Sequence, residues 1–286
     1  MQLILISGLS GSGKSVALRV LEDSGYYCVD NLPPTMLADA IALYHEHGHS
    51  QIAISVDTRS APTLAALPDA IKALRALDVD VRLLYLEASS EVLVKRFSET
   101  RRRHPLSNGS LTVEECIRLE REMLEHVGEL GHRIDTSHLS ANALRAYVKL
   151  LAGADSSRMT VVFESFGFKH GIPLDADFVF DVRCLPNPYY EEALRPLTGR
   201  DQAICDFFAD QPEVQQMEDD IRTFLASWLP RFKQDNRSYV TIAIGCTGGQ
   251  HRSVYLTERL AASFPDEQVL IRHRQLGGRQ ADHGCA

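Results

Sequence analysis

The sequence predicts an α/β protein built on parallel sheets and divided into two domains. Three observations predict it. Short apolar runs alternate with helical segments along the chain, the pattern of a parallel sheet covered on both faces. The first run leads straight into a glycine-rich turn, Gly8-Leu-Ser-Gly-Ser-Gly-Lys-Ser15. A second such turn, Gly245-Cys-Thr-Gly-Gly-Gln-His-Arg-Ser253, again lies between a strand and a helix.

The elements follow in order. Residues 2–7 form a short apolar run, a buried parallel strand, and 16–24 continue at helical spacing. Residues 26–29 are a second strand, stopped by Pro33 and Pro34; a helix follows over 36–47, with Gly48 as its stop. Strand 52–56 ends at Asp57-Thr58-Arg59-Ser60, and 63–76 is expected to be helical. Strand 81–86 ends at Glu87, helix 90–99 runs into Arg101-Arg-Arg-His104, and a longer helix spans 111–130. Strand 134–136 and helix 140–151 complete the first half. The small, polar stretch 153–157 is the expected linker, with domains at 1–153 and 154–286. The second half is expected to hold strands at 159–165, 178–181, 239–245 and 269–272, with helices at 214–231 and 253–263.

A chain of 286 residues suits two ordinary domains, and 44% hydrophobic with 24% charged residues suits a packed core rather than disorder. A net charge of -8 excludes a generic polyanion binder, so any nucleic acid must meet a local basic patch. The apolar run 3–6 is too short for a leader, and nothing reaches the roughly 18 apolar residues of a membrane span. Six cysteines form no CxxC pair. A cytoplasmic protein with thiols rather than disulfides is the expectation.

The first turn fits G-x-x-x-x-G-K-[ST] at Gly8, Gly13, Lys14 and Ser15, with a strand before it and a helix after. Backbone N–H groups of Gly8, Leu9, Ser10, Gly11, Ser12, Gly13, Lys14 and Ser15 are expected to wrap the phosphates of ATP or GTP. Lys14 is expected to reach the β- and γ-phosphates, and Ser15 to hold Mg²⁺. A second acid must serve the metal; Asp57 is the choice, with Asp30 and Glu87 also at strand ends. Arg101, Arg102, Arg103 and His104 are either a lid over the γ-phosphate or a helix end carrying cations that suit its dipole.

The second turn combines a helix N-terminus, glycines and an arginine, an anion-binding nest. Cys246 and Arg252 also show the C-x₅-R spacing of cysteine-dependent phosphatases, where a thiolate attacks phosphorus and the arginine clamps oxygens. No segment marks the general acid that chemistry needs; Asp181 and Asp201 are merely available. Non-catalytic binding of a phosphorylated ligand by His170, Cys246, Thr247, Gly248, Gly249, His251, Arg252 and Ser253 is the expected use. Scattered histidines suggest no further metal.

These residues, with YYCVDNLP at 26–33, DTRS at 57–60, TRRRHPL at 100–106, SFGFKHGIP at 165–173 and DVRCLPNPYY at 181–190, resemble the RapZ family of bacterial RNase adapter, nucleotide-binding proteins. The resemblance runs in order from residue 1 to about 274. It implies a P-loop NTPase-like, kinase-like N-terminal domain that binds ATP and GTP, with a guanine-nucleotide contact at Asp57, Thr58, Arg59 and Ser60 and weak ATPase and GTPase activity. It implies a smaller C-terminal domain, similar to a sugar-phosphate kinase domain, that senses glucosamine-6-phosphate and binds small regulatory RNA for RNase E, in a homo-oligomer. The chain departs from the dense Lys/Arg tail of the family's enterobacterial members: residues 271–286 hold Arg272, Arg274 and Arg279 but no lysine, so weaker RNA binding is expected. Coupled nucleotide and sugar-phosphate occupancy is expected of such a regulator. The competing readings are a small-molecule kinase acting on an amino sugar, and a phosphatase through Cys246.

Overall fold

The computed structural model describes residues 1–153, 159–235, 237 and 239–276. The chain divides into two compact units, Met1–Gly153 and Ala154–Ala286. Beyond Gly153, the expected linker 153–157 lies outside the described residues.

The first unit runs β1 (Gln2–Gly8), α1 (Lys14–Asp23), β2 (Tyr27–Val29), α2 (Leu37–Glu46), β3 (Gln51–Ser55), α3 (Leu67–Ala76), β4 (Asp80–Glu87), α4 (Ser90–Thr100), α5 (Val113–Gly128), β5 (His132–Asp135) and α6 (Ala141–Gly153). Its sheet has the order β2-β3-β1-β4-β5, every pair parallel. Leu3, Ile4, Leu5 and Ile6 of β1 are all buried, so both faces of this central strand are covered. Leu5 lies level with Ile54 of β3 and Leu83 of β4. The chain leaves β1 toward one sheet edge and β4 toward the other, so a crevice opens at their C-terminal ends. The first glycine turn starts there.

Two boundaries depart from expectation for local reasons. The expected helix 63–76 is a 3₁₀ stretch, Thr58–Ala66, followed by α3. Pro62 inside the first piece removes a donor, and Pro68 fits the first turn of the second. Helix α5 starts at Val113, where Thr112 and Glu115 form a reciprocal capping box.

The second unit runs β6 (Thr160–Gly167), β7 (Phe178–Asp181), α7 (Gln202–Ala209), α8 (Pro212–Gln234), β8 (Tyr239–Cys246), α9 (Arg252–Ala262) and β9 (Gln268–His273). Its sheet order is β7-β8-β6-β9, all parallel. Every residue of β6 is buried. Connections leave β6 and β8 in opposite directions, so this sheet too has its crevice between two central strands. Helix α7 was not expected; at eight residues it offers barely two turns of periodicity, with Ile204, Cys205 and Phe208 inward.

No helix among the described residues is long and apolar enough to cross a membrane. Among the described residues, Cys28, Cys116, Cys184 and Cys246 are free thiols.

Candidate nucleotide and anion sites

The first glycine turn folds as a loop because three of its residues accept positive φ: Gly8 at 128°, Gly11 at 85° and Gly13 at 111°. Three of its carbonyls are met by side chains. Lys14 Nζ donates to the Gly8 carbonyl at 2.5 Å, Arg96 to that of Gly11 at 3.0 Å and Thr136 Oγ1 to that of Ser12 at 2.9 Å. Gly13 caps α1 without any side-chain partner for the first-turn N–H groups. A helix N-terminus left uncapped on a glycine loop is a ready anion cradle. Ser15 stands exposed in that first turn, while Leu9 has its side chain in the core and its amide on the Leu86 carbonyl at 3.0 Å. The Ser12 amide is on the Leu9 carbonyl at 3.1 Å, so the amides of Leu9, Ser10 and Ser12 are already bonded within the protein and do not line the loop as expected.

Burial pulls the Lys14 ammonium below its ordinary 10.5, opposed first by the charge of Glu120 and then by Asp57. Glu120, on α5, is fully buried. It accepts from the Ser10 amide at 2.7 Å, Ser10 Oγ at 2.7 Å, Thr58 Oγ1 at 3.0 Å and His104 Nε2 at 3.1 Å. Burial pushes its pKa up, but the bonds from His104 and Ser10 and the charge of Lys14 outweigh that and hold it below 4.5. One carboxylate thus ties together three segments singled out in the sequence: the glycine loop, the 57–60 turn and the 100–106 stretch. Sequence reasoning missed it. Its one signal is position: Glu120 falls between Ile117 and Leu124 on the buried stripe of α5.

Asp57 follows β3 and caps the 3₁₀ stretch, accepting from the Arg59 amide at 2.9 Å. Both carboxylate oxygens also take the Arg59 guanidinium, at 2.8–3.0 Å. Burial raises the Asp57 pKa, yet these bonds and Lys14 bring it below 3.8. Arg59 lies 3.6 Å from Asp30, a largely exposed carboxylate at the end of β2. Ser60 Oγ donates to Asn31 at 3.3 Å. Glu87 is committed to Arg121 at 3.2 Å and Arg133 at 3.3 Å, so it is not placed for a metal. In the basic cluster, Arg101, Arg102 and Arg103 are exposed and His104 is buried against Glu120.

The second turn sits at the crevice of the second sheet, where Gly167 of β6 lies level with Cys246 of β8. The Lys169 amide donates to the Thr247 carbonyl at 3.3 Å. The two loops approach so closely that a Cβ on Gly167 would lie 2.7 Å from the Gly248 carbonyl carbon. Gly249, at φ 73°, turns its amide onto Cys246 Sγ at 3.2 Å. Ser253 Oγ meets the same sulfur at 3.2 Å. Burial pushes the Cys246 thiol up, but the Ser253 and Gly249 bonds and the Arg252 charge win and hold it below 9.0.

Arg252 is buried, its Nη1 donating to the carbonyls of Arg183 at 2.7 Å and Leu185 at 3.1 Å. His251 is buried too, and burial keeps its imidazole below 6.5. His170, in the 3₁₀ turn after β6, is held below 6.5 by burial and then by Lys169. Asp181 grips Arg183 as Asp57 grips Arg59, through the amide at 3.0 Å and the guanidinium at 2.6–3.0 Å. Arg183 also stacks on Phe168, 4.0 Å from the ring centroid.

The cations counted for the tail are placed otherwise. Arg272 is buried in ion pairs with Glu164 at 3.3 Å and Asp175 at 3.1 Å, and Arg274 in one with Glu164 at 3.4 Å. Arg279 lies outside the described residues. Arg272 and Arg274 therefore neutralise internal carboxylates rather than face a polyanion, which corrects their assignment to a basic tail.

Comparison with known proteins covers both units. A family model described as the RapZ-like N-terminal domain matches residues 1–156, and one described as the RapZ C-terminal domain matches residues 159–277. A nucleotide-binding protein of Chromobacterium violaceum is 66% identical over 276 residues, 96% of this chain and 99% of that one. One of Aromatoleum aromaticum is 57% identical over 287 residues, covering 100% and 98%. Among solved structures, a shikimate kinase of Acinetobacter baumannii in complex with shikimate aligns with 52% of this chain and 91% of its own, at 17% identity and a TM-score of 0.38. With family models matching 1–156 and 159–277, the chain belongs to the RapZ family.

Proposed function

We propose that the chain is a nucleotide- and metabolite-binding regulator. Its first unit takes ATP or GTP on the Gly8–Ser15 loop, and its second takes a phosphorylated amino sugar, glucosamine-6-phosphate, on Thr247–Ser253. The observation that carries this is the uncapped glycine loop with the half-buried Lys14 at its mouth, balanced by Glu120 and Asp57. A partly desolvated ammonium needs negative partners, and a triphosphate supplies them more strongly than two carboxylates.

Mg²⁺ favours hard oxygen ligands and neutralises β,γ-phosphate charge. Ser15, exposed in the first turn, fits that requirement. Asp57 fits only through water, since Arg59 occupies both its oxygens; Asp30 is more exposed, but its Oδ1 takes the Ser55 hydroxyl and faces Arg59. Slow hydrolysis goes with this site. Glu120 accepts four hydrogen bonds and stays ionised, so it is a poor base for an attacking water.

The RNase-adapter role, with small regulatory RNA and RNase E as partners of a cytoplasmic homo-oligomer, comes from family membership. Since Arg272 and Arg274 are internal, any RNA surface lies elsewhere. Filter binding of structured RNA across a salt series tests this role: a flat or absent response counts against it.

The main test is the thermal shift produced by ATP, GTP or glucosamine-6-phosphate. Ligand at about 100 times Kd stabilises the native state by about 2.7 kcal/mol. Lys14→Ala is expected to erase the nucleotide shift and keep the sugar-phosphate shift, and Arg252→Ala to do the reverse. A wild-type protein that shifts with neither nucleotide defeats the reading. A further expectation is coupling: saturating nucleotide should change sugar-phosphate affinity, and equal affinities with and without it exclude coupling.

A further inference from the structure

We propose that Cys246 is a nucleophile: its sulfur attacks a phosphoryl group seated in the 247–253 loop and carries it as phosphocysteine. The proposal deepens the reading of this loop as a phosphate site and rests on it. Four observations support it.

The sulfur is fixed at the end of β8 by the Gly249 amide and Ser253 Oγ, each at 3.2 Å. Those donors stabilise a thiolate, the form that attacks phosphorus. The loop then enters α9, whose first turn has no side-chain cap, so its amides face the same space.

Arg252 presents one defined edge. Its Nη1 corner is anchored by the carbonyls of residues 183 and 185, while Nη2 makes only a 3.4 Å contact to Thr247 Oγ1. Its Nε is buried and has no hydrogen-bond partner among the described residues. The Nε–Nη2 edge is the one that grips two phosphate oxygens at once. Anchoring the opposite corner holds that edge in place before any ligand arrives.

The acid side of the reaction defines the substrate class. Asp181 adjoins the loop, level with Gly245, but Arg183 holds both its oxygens and its pKa below 3.8. It is ionised at neutral pH and has no proton to give. His251 is neutral there, because burial lowers its pKa. The leaving group must therefore depart as an anion, as from an aryl or acyl phosphate. An alkyl phosphate such as a sugar phosphate is gripped and not cleaved, which makes one loop a sensor for alkyl esters and a hydrolytic site for activated ones.

The step balances without an added oxidant or metal. The Sγ–P bond forms as the P–O bond to the leaving group breaks, and that oxygen takes the electron pair. Water then attacks phosphorus, the S–P bond returns its pair to sulfur, and inorganic phosphate leaves with a proton released to solvent.

The test uses the full-length protein and p-nitrophenyl phosphate. Wild type is expected to release nitrophenolate, Cys246→Ser to fall at least about 100-fold, and Arg252→Lys at least about tenfold. Acid quench during turnover is expected to trap a phosphoryl adduct on the peptide holding Cys246, which needs no variant to fold. Iodoacetamide should alkylate Cys246 with a pH midpoint below 9.0, and Arg252→Lys should keep that reactivity while losing turnover. Release equal in wild type and Cys246→Ser, or no adduct on Cys246, overturns the proposal. A thermal shift with inorganic phosphate but no nitrophenolate defeats the nucleophile alone; no shift with inorganic phosphate defeats the phosphate site beneath it.

Discussion

Glu120→Ala should cost the first unit about 3–5 kcal/mol, the usual consequence of breaking a buried charged network by removing one partner. The alanine leaves the Ser10 amide and hydroxyl, Thr58 Oγ1 and His104 Nε2 without their shared acceptor, inside a region closed to water. It also removes the largest charge opposing the desolvation of Lys14. Nucleotide binding should fall with stability, since Ser10 belongs to the loop and Thr58 to the adjoining turn. Denaturant unfolding of the two proteins measures the first effect, and a loss under about 1 kcal/mol shows that the hub is not holding these segments. The pH dependence has a definite sign. The folded pKa of Glu120 lies below 4.5, so its contribution is complete above 4.5 and is lost as pH falls through the depressed folded value. Glu120→Gln, which cannot ionise, should flatten the stability profile in that acid range and leave the alkaline side unchanged.

The parts of this picture legible in the sequence are those written in neighbouring residues. Residues 2–7 could be read as a buried parallel strand because burial on both faces demands an unbroken apolar run. The glycine loop could be read because its amides, its lysine and its strand-to-helix setting lie within eight positions. Cys246, Gly249, Arg252 and Ser253 meet for the same reason. What closes each site from a distance could not be read that way. Ser10 meets Glu120 across 110 positions, Arg96 meets the Gly11 carbonyl across 85, and Gln275 meets the Gly167 amide across 108. No local pattern encodes such a contact; the parallel crossovers bring it about. The misplaced helix at 63–76 shows the converse limit. Its apolar spacing is helical, but Pro62 decides how the chain winds, and a 3₁₀ stretch results. Arg272 and Arg274 mislead by composition: in a tail they count as cations, yet Arg272 on β9 and Arg274 just after it are buried against Glu164.

Gly8→Ala should abolish nucleotide binding and destabilise the first unit by several kcal/mol, while Gly25→Ala should cost about 1 kcal/mol. Both glycines have positive φ, 128° and 92°, so both substitutions strain the backbone. They differ in their surroundings. A Cβ on Gly25 meets nothing within 4 Å, whereas one on Gly8 lies 1.9 Å from the Leu86 carbonyl oxygen and 2.6 Å from its amide. Leu86 is backbone of β4, paired to β1 on one side and β5 on the other, so it has no room to yield. Overpacking a rigid core adds about 1–3 kcal/mol to the strain. The displaced residue is also the one whose carbonyl receives Lys14, so the phosphate cradle moves with it. Side-by-side denaturation with a nucleotide thermal shift separates the two cases. Equal losses in the two variants mean that the contact between β1 and Leu86 does not set the geometry of the loop.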